Sequence, residues 1–412
     1  MASDLLIRGG RPHGLAPADI LVREGKVVAM GPCLQPPPGV PVEDVHGALV
    51  LPSLVEAHTH LDKSLWDMPW HANTAGPSLM DKIDHERHAR RAWDIDPQRQ
   101  SARQVALSVA QGSLHILSHV DIDTDQGLWC LEGVLATRER CRALVDIQLV
   151  AFPQSGLMRR PGTLALMDQA LTMGCEWVGG LDPYAIDRDP KGQLDAIFAL
   201  SQKHGRPIDI HLHEPEEMGA LTLDLVFERV RALGLQGQVT ISHAFCLGSA
   251  RSELVEPLIA ELAALDIAVM TTGPAGWSAP PLKRLLAAGV RVSSGSDGVR
   301  DTWKHYGNAD MLERATFLGL RNRLTTDADM ALALEVCTHG GAQVMRLHGH
   351  GLAVGKDADL FTVRAENIAH AVAAHPPREL VVRRGTVVAR NGQCLHLATP
   401  SPDPIVFTKE PA

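Results

Sequence analysis

Two histidines spaced by one residue, His58 and His60, close an apolar run that begins at Leu51 in this 412-residue chain. Side chains i and i+2 of a strand leave the same face, so both imidazoles can reach one ion. A borderline-soft divalent cation takes imidazole nitrogen together with carboxylate oxygen, and a catalytic site keeps one position for water. Three further short apolar runs end in such groups. Ile208-Asp209-Ile210 leads into His211, with Glu214 three residues on; Val239-Thr240-Ile241-Ser242 leads into His243; Val290 to Ser296 leads into Asp297.

The order His-x-His, His-x-x-Glu, Ser-His, Ser-Asp resembles the amidohydrolase superfamily over nearly the whole chain, most closely its mononuclear, cytosine deaminase-like branch. The resemblance implies that His58, His60, His211 and Asp297 hold one divalent metal ion, for which zinc, iron and manganese are all suited. Such an ion lowers the pKa of water from about 15.7 toward roughly 7. It also implies that Glu214 shuttles a proton to the ring nitrogen, that His243 orients the attacking water, and that Asp297 accepts the water's proton. No lysine stands where binuclear relatives carry a bridging ligand, which favours a single ion.

Substrate contacts follow from the same resemblance. Phe152-Pro153-Gln154 matches a segment whose glutamine pairs with the amide-like edge of cytosine, since one primary amide offers both a donor and an acceptor. Trp303 falls where a deaminase tryptophan lines the pocket, and Lys63 stands where the family has a small hydroxyl residue. Lys63 can pair with Asp62 or reach a substrate carbonyl. Gly298 replaces a second acid after Asp297, which implies open space for a bulkier or 5-substituted ring.

The expected activity is hydrolytic deamination of a cytosine-like nucleobase or related amino-heterocycle, releasing ammonia. The alternatives are removal of an alkylamine from an N-alkylammelide or other s-triazine, a cyclic amidase, and a barrel kept as a scaffold. The complete ligand and shuttle set speaks against the last. The expected partner is a small heterocyclic substrate; a homo-oligomer is open, because the family commonly assembles while the sequence itself leaves the state unread.

These side chains need a scaffold that brings strand ends together. Apolar runs at Ser113–Val120, Asp146–Phe152, Trp177–Leu181 and Ala268–Thr272 alternate with amphipathic stretches at Thr163–Met173, Asp195–His204, Thr222–Leu233 and Leu254–Leu265. Alternation of this kind favours a parallel sheet, and eight units close a (β/α)8 TIM-like barrel with chemistry at the strand carboxyl ends. The first fifty residues and the far end share short glycine-punctuated β runs, with Glu24-Gly25-Lys26 a tight turn. The resemblance joins them into one small β-sandwich of residues 1–51 and 352–412, leaving 52–351 as the catalytic barrel.

Composition narrows the partners. With 45% hydrophobic and 21% charged residues the chain is of soluble globular type, and a net charge of −9 without a basic face excludes a nucleic-acid partner. The amino terminus lacks a basic segment followed by a long apolar one, and no apolar run reaches membrane-spanning length, so a cytoplasmic location is expected. Seven scattered cysteines form neither a metal pair nor a disulfide framework; Cys246 is expected in the core or a loop. Asp84-His85-Glu86-Arg87-His88 has the wrong histidine spacing for a metalloprotease helix and is expected at the surface, as are Glu216 and Glu217 in a loop.

Overall fold

A computed structural model describes residues 3–397. Eight parallel strands form one sheet: β1 (Leu54–Thr59), β2 (Ser113–Asp121), β3 (Asp146–Phe152), β4 (Trp177–Leu181), β5 (Ile208–His211), β6 (Val239–Ser242), β7 (Ala268–Met270) and β8 (Val292–Ser293). Each pairs with the next in chain order. The last returns to the first: Ala57 N–H donates to Ser294 O, Asp297 N–H donates to His58 O, and Thr59 bridges to Asp297 in parallel register. The sheet is therefore a (β/α)8 barrel. Because both of its faces are covered, every residue of β1, β2, β4, β5 and β6 is buried, which is why these strands read as apolar runs rather than alternating ones.

Helices cover the outside, among them Thr163–Met173, Pro190–His204, Glu216–Leu233 and Ser252–Ala264. The second starts five residues before the sequence pattern does. Asp189 accepts the Gly192 N–H and Pro190 occupies the first turn, two start signals that carry no apolar periodicity. Glu216 and Glu217 likewise lie in the first turn of a helix rather than a loop, favourably placed at its positive end.

The chain ends build a second sheet. Its strands run in the order Gln393–Cys394, Thr386–Arg390, Arg378–Arg383, Leu360–Val363, Leu49–Pro52, Leu5–Pro12, Ala18–Arg23, Lys26–Gly31, with Val42–Asp44 added to Leu5–Pro12. Strand alternation divides the labour: Val50, Leu360, Leu380 and Val382 pack with Leu5, Ile7, Ile20 and Val22, whereas Leu49, Leu51, Phe361 and Val381 join the large core of the barrel. The strand Leu5–Pro12 serves both halves, pairing with Ala18–Arg23 from Leu5 to Gly10, across an irregularity between Ile7 and Gly10, and with Leu49–Pro52 at Arg11 and Pro12. A side chain at Gly10 would meet Val50 Cγ2 at 2.5 Å, so this close approach requires glycine. Glu24 and Gly25 form the expected two-residue turn between paired Arg23 and Lys26. The proline-containing tail from Pro400 lies outside the described residues. Among those described, no helix is long and apolar enough to cross a membrane.

Candidate metal and substrate site

The barrel brings His58, His211, His243 and Asp297 together at the strand carboxyl ends, with ligand atoms all within 4.8 Å of one another. His60 joins them: its Nε2 lies 3.3 Å from Asp297 Oδ1, and His58 Nε2 lies 3.7 Å from the same oxygen. Two of these residues sit just past their strands in left-handed backbone, His243 at φ 69° and Asp297 at φ 61°. For side chains of this kind that conformation costs free energy, which the surrounding barrel supplies in order to aim them inward.

The donor chemistry fits a cation. Burial lowers the basicity of His58, His211 and His243, and neighbouring imidazoles push in the same direction. Burial also takes His60 down to about 4, with the Lys63 ammonium assisting against Asp297. Neutral imidazoles with lone pairs result, and Nε2 of His58, His211 and His243 are buried with no hydrogen-bond partner. Such orphaned acceptors cost free energy unless something occupies them. Asp297 is held well below the usual carboxylate range: burial opposes its charge, but Lys304 Nζ at 2.9 Å and the histidines outweigh that.

Behind this cluster lies a supporting layer. Ser242 Oγ donates to Asp209 Oδ1 at 2.6 Å and lies 3.1 Å from His58 Nδ1, and His119 packs 4.1 Å from the His58 ring. His213 stacks on His243 at 4.3 Å and bonds Asp182 through Nδ1 at 2.8 Å.

Glu214 is buried beside His213. Its Oε1 accepts the N–H groups of Tyr184 (2.7 Å) and Ala185 (2.9 Å), and its Oε2 accepts the Thr222 hydroxyl. Burial raises its pKa against these bonds, so the carboxyl holds a proton more readily than a solvated one.

Lys63 does not pair with Asp62. Its Nζ donates to Asp121 Oδ1 (2.8 Å), to Glu86 (3.1 Å to Oε1) and to Gln154 Oε1 (3.2 Å). Asp62 instead receives Arg90, whose Nη2 also meets Glu86 and Asp121. Burial alone would discharge Lys63, but Asp121, Glu86 and Asp62 together raise its pKa. Glu86 is therefore no surface residue; it sits 2% exposed on the helix Leu79–Ala92. Ser78 and Asp81 start that helix as a reciprocal cap, and its Ile83 packs on Phe152, Leu181 and Ile186 at the strand ends. Trp303 packs against the same cluster and donates its indole N–H to Glu86 Oε2 at 2.5 Å.

The space beside Gly298 is not open. A Cβ there would overlap the Asp301 carboxylate, which is 4% exposed and accepts the N–H groups of Trp303 and Lys304, both at 2.9 Å. Burial pushes that carboxyl up to about 6. Cys246 lies buried in the main core.

Sequence reasoning alone missed Lys304, Asp209, His119, His213 and the inward turn of Glu86. Asp209 did carry a signal, standing two residues before His211 on a strand and so on the same face.

The family profile described as "Amidohydrolase family" matches residues 41–389. The chain is 30% identical over 359 residues to N-isopropylammelide isopropyl amidohydrolase of Pseudomonas sp. (strain ADP), spanning 84% of this chain and 88% of that one. The crystal structure of N-isopropylammelide isopropylaminohydrolase from Burkholderia multivorans ATCC 17616 superposes with a TM-score of 0.92 at 46% identity, over 95% and 100% of the two chains. That of 5-methylcytosine deaminase from Klebsiella pneumoniae, liganded with 5-fluorocytosine, superposes at 0.81 and 26% identity, over 93% and 97%.

Proposed function

Because the chain belongs to the amidohydrolase family and is a hydrolase of C–N bonds, we propose that it removes an exocyclic amine from an oxo-substituted amino-heterocycle, with an N-alkylated aminotriazine as the first substrate class. The single observation carrying the reading is the convergence of neutral, unpartnered imidazoles on Asp297 at the mouth of the barrel. In this proposal residues 52–351 are the catalytic unit, and residues 1–51 with 352–412 support it.

His58, His60, His211 and Asp297 would hold one divalent ion, with zinc, iron and manganese as candidates. When bound, such an ion supplies a Lewis acid that acidifies water. Asp297 accepts a proton from the attacking water at a carboxylate oxygen, and His243 orients that water. Glu214, whose raised pKa suits a proton carrier, protonates the ring nitrogen as water adds to the amine-bearing carbon. The C–N bond then breaks as the proton taken up by Asp297 passes to the leaving nitrogen, and the adduct's remaining hydroxyl proton returns to Glu214, so that an oxo ring and a free amine result. Gln154, Lys63 and Trp303 form the substrate wall.

The test is a panel of N-alkylammelides, ammelide, cytosine and 5-methylcytosine with metal-reconstituted protein, reading alkylamine and ammonia separately. Alkylamine release supports the first class. Ammonia release from the cytosines alone transfers the site to the second reading, nucleobase deamination, which the likeness to 5-methylcytosine deaminase favours. No amine from any of them refutes both.

A further inference from the structure

Phe245 is buried without belonging to a core. It opens the short turn Phe245–Gly248 after β6, and its chain neighbours Ala244, Cys246 and Leu247 all pack into the large core of the barrel. Among the described residues Phe245 itself joins none of the apolar clusters, although only 9% of it is exposed. The rings around it belong to the site. Its centre lies 5.4 Å from that of His213 and 5.8 Å from that of His243, both at steep ring angles, and it stacks on the indole of Trp277 at 5.9 Å. Left-handed backbone at His243 and Ala244 in succession, φ 69° and 44°, sets the imidazole in the ligand cluster and the phenyl beside it.

Trp277 extends this surface from the segment after β7. It is 59% exposed, yet its place is held: Arg321 donates to its carbonyl, and Lys82 Nζ, from the helix Leu79–Ala92, stands 5.9 Å from its ring centre. The same ammonium stands 5.9 Å from the ring of Trp303, so both indoles border one stretch of the barrel mouth. Phe245 and Trp277 thus offer an aromatic surface continuous with His243 and partly open to water, of the kind that receives apolar ligand atoms.

The chemistry selects which atoms those are. In the proposed reaction His243 orients water against the amine-bearing carbon and Asp297 hands its proton to the departing nitrogen. That nitrogen is bonded to the carbon under attack, so a substituent on it begins one bond beyond the side of the site that His243 and Asp297 share. The rim of an oxo-substituted aminotriazine is otherwise ring nitrogens and oxygens, which leaves an alkyl group on the departing nitrogen as its one apolar projection.

We propose that Phe245 and Trp277 form a subsite for the alkyl group on the departing nitrogen, and that Phe245 sets how large that group can be. The inference rests on the amine-releasing reading and deepens it: a secondary amine bearing a short or branched alkyl chain is preferred to a free amino group. Complete burial of one methylene is worth about fourfold in binding. Because Trp277 is open on one side, each added carbon should raise kcat/KM by roughly twofold to fourfold.

The experiment measures kcat/KM for ammelide and its N-methyl, N-ethyl and N-isopropyl derivatives on the full-length, metal-reconstituted protein, reading the released amine. The N-isopropyl compound is expected to exceed ammelide by about tenfold or more. Trp277→Ala, at an exposed position, should lower that ratio by about threefold or more. Phe245→Trp narrows the subsite and should place the N-methyl compound above the N-isopropyl one, whereas Phe245→Leu keeps an apolar wall and should retain the preference for alkylated compounds. A parent protein that turns over ammelide as well as its N-isopropyl derivative, or an order unchanged in both Trp277→Ala and Phe245→Trp, overturns the inference and leaves C–N hydrolysis intact. No amine from any of the four overturns it as well; if cytosine and 5-methylcytosine likewise release none, the amine-releasing reading falls with it.

Discussion

Replacing Gly298 by alanine tests whether Asp301 shapes the site. The new Cβ would coincide with the Asp301 carboxylate, so one of the two must move. A side-chain tip can often swing aside at little cost, but this one is nearly buried and pinned by the Trp303 and Lys304 N–H groups. Hydrogen bonds to a charged acceptor contribute about 1.5–3 kcal/mol each. Breaking both, with water recovering part, should destabilise the protein by about 3 kcal/mol, read as the free energy of unfolding in urea. The turn that carries Trp303 and Lys304 would be released with them, and kcat/KM should fall at least tenfold. Asp301→Ala removes the same two bonds, so its cost should be similar, and the double variant should cost about as much as either single one rather than their sum. A Gly298→Ala protein within about 0.5 kcal/mol of its parent, or strict additivity in the cycle, would refute the reasoning.

Three further outcomes are expected. Glu214→Gln should retain the metal, measured by elemental analysis, while kcat drops at least a hundredfold; a variant with substantial turnover would remove Glu214 from the proton-carrying role. Chelation should abolish activity and zinc, iron or manganese restore it, whereas full activity in metal-free protein would sink the proposed site. Burial holds His350 near 4 against an ordinary 6.5, and in the neutral form its Nε2 lies 2.9 Å from Ser53 O. The unfolded chain therefore binds this proton first on acidification, so the contribution of His350 is complete above pH 6.5 and is lost as pH falls toward 4, by about 3 kcal/mol. Urea unfolding at pH 5 and 7.5 should show a smaller pH difference in His350→Gln than in the parent.

The barrel and the residues at its strand ends were legible because both depend on local pattern. A buried parallel strand is an apolar run, and His58, His60, His211, His243 and Asp297 each stand where such a run stops. Helix starts set by caps, as at Asp189-Pro190, were not visible in periodicity. Nor were contacts between remote segments. Lys63 has Asp62 as its sequence neighbour, yet its partners come from the end of β2 (Asp121), the loop after β3 (Gln154) and the helix Leu79–Ala92 (Glu86). Gly298 by itself implies vacancy, but the carboxylate of Asp301 fills the place. The polar stretch Asp84 to His88 looked solvated; only the packing of Ile83 against the strand ends turns Glu86 and Arg90 inward.

Both sheets are fastened by parts of the chain made at opposite times. Thr59 meets Asp297 at the seam of the barrel, and Leu49–Pro52 pairs with Leu360–Val363 in the other sheet. During synthesis His58 and His60 must wait for more than two hundred residues before Asp297 emerges to join them. Strand pairing over such separations is slow, because much of the chain must be ordered before the contact returns any stabilisation. A ribosome-bound fragment ending before residue 297 can complete neither the ring nor the ligand set, so a truncated product has no finished reaction centre to misuse.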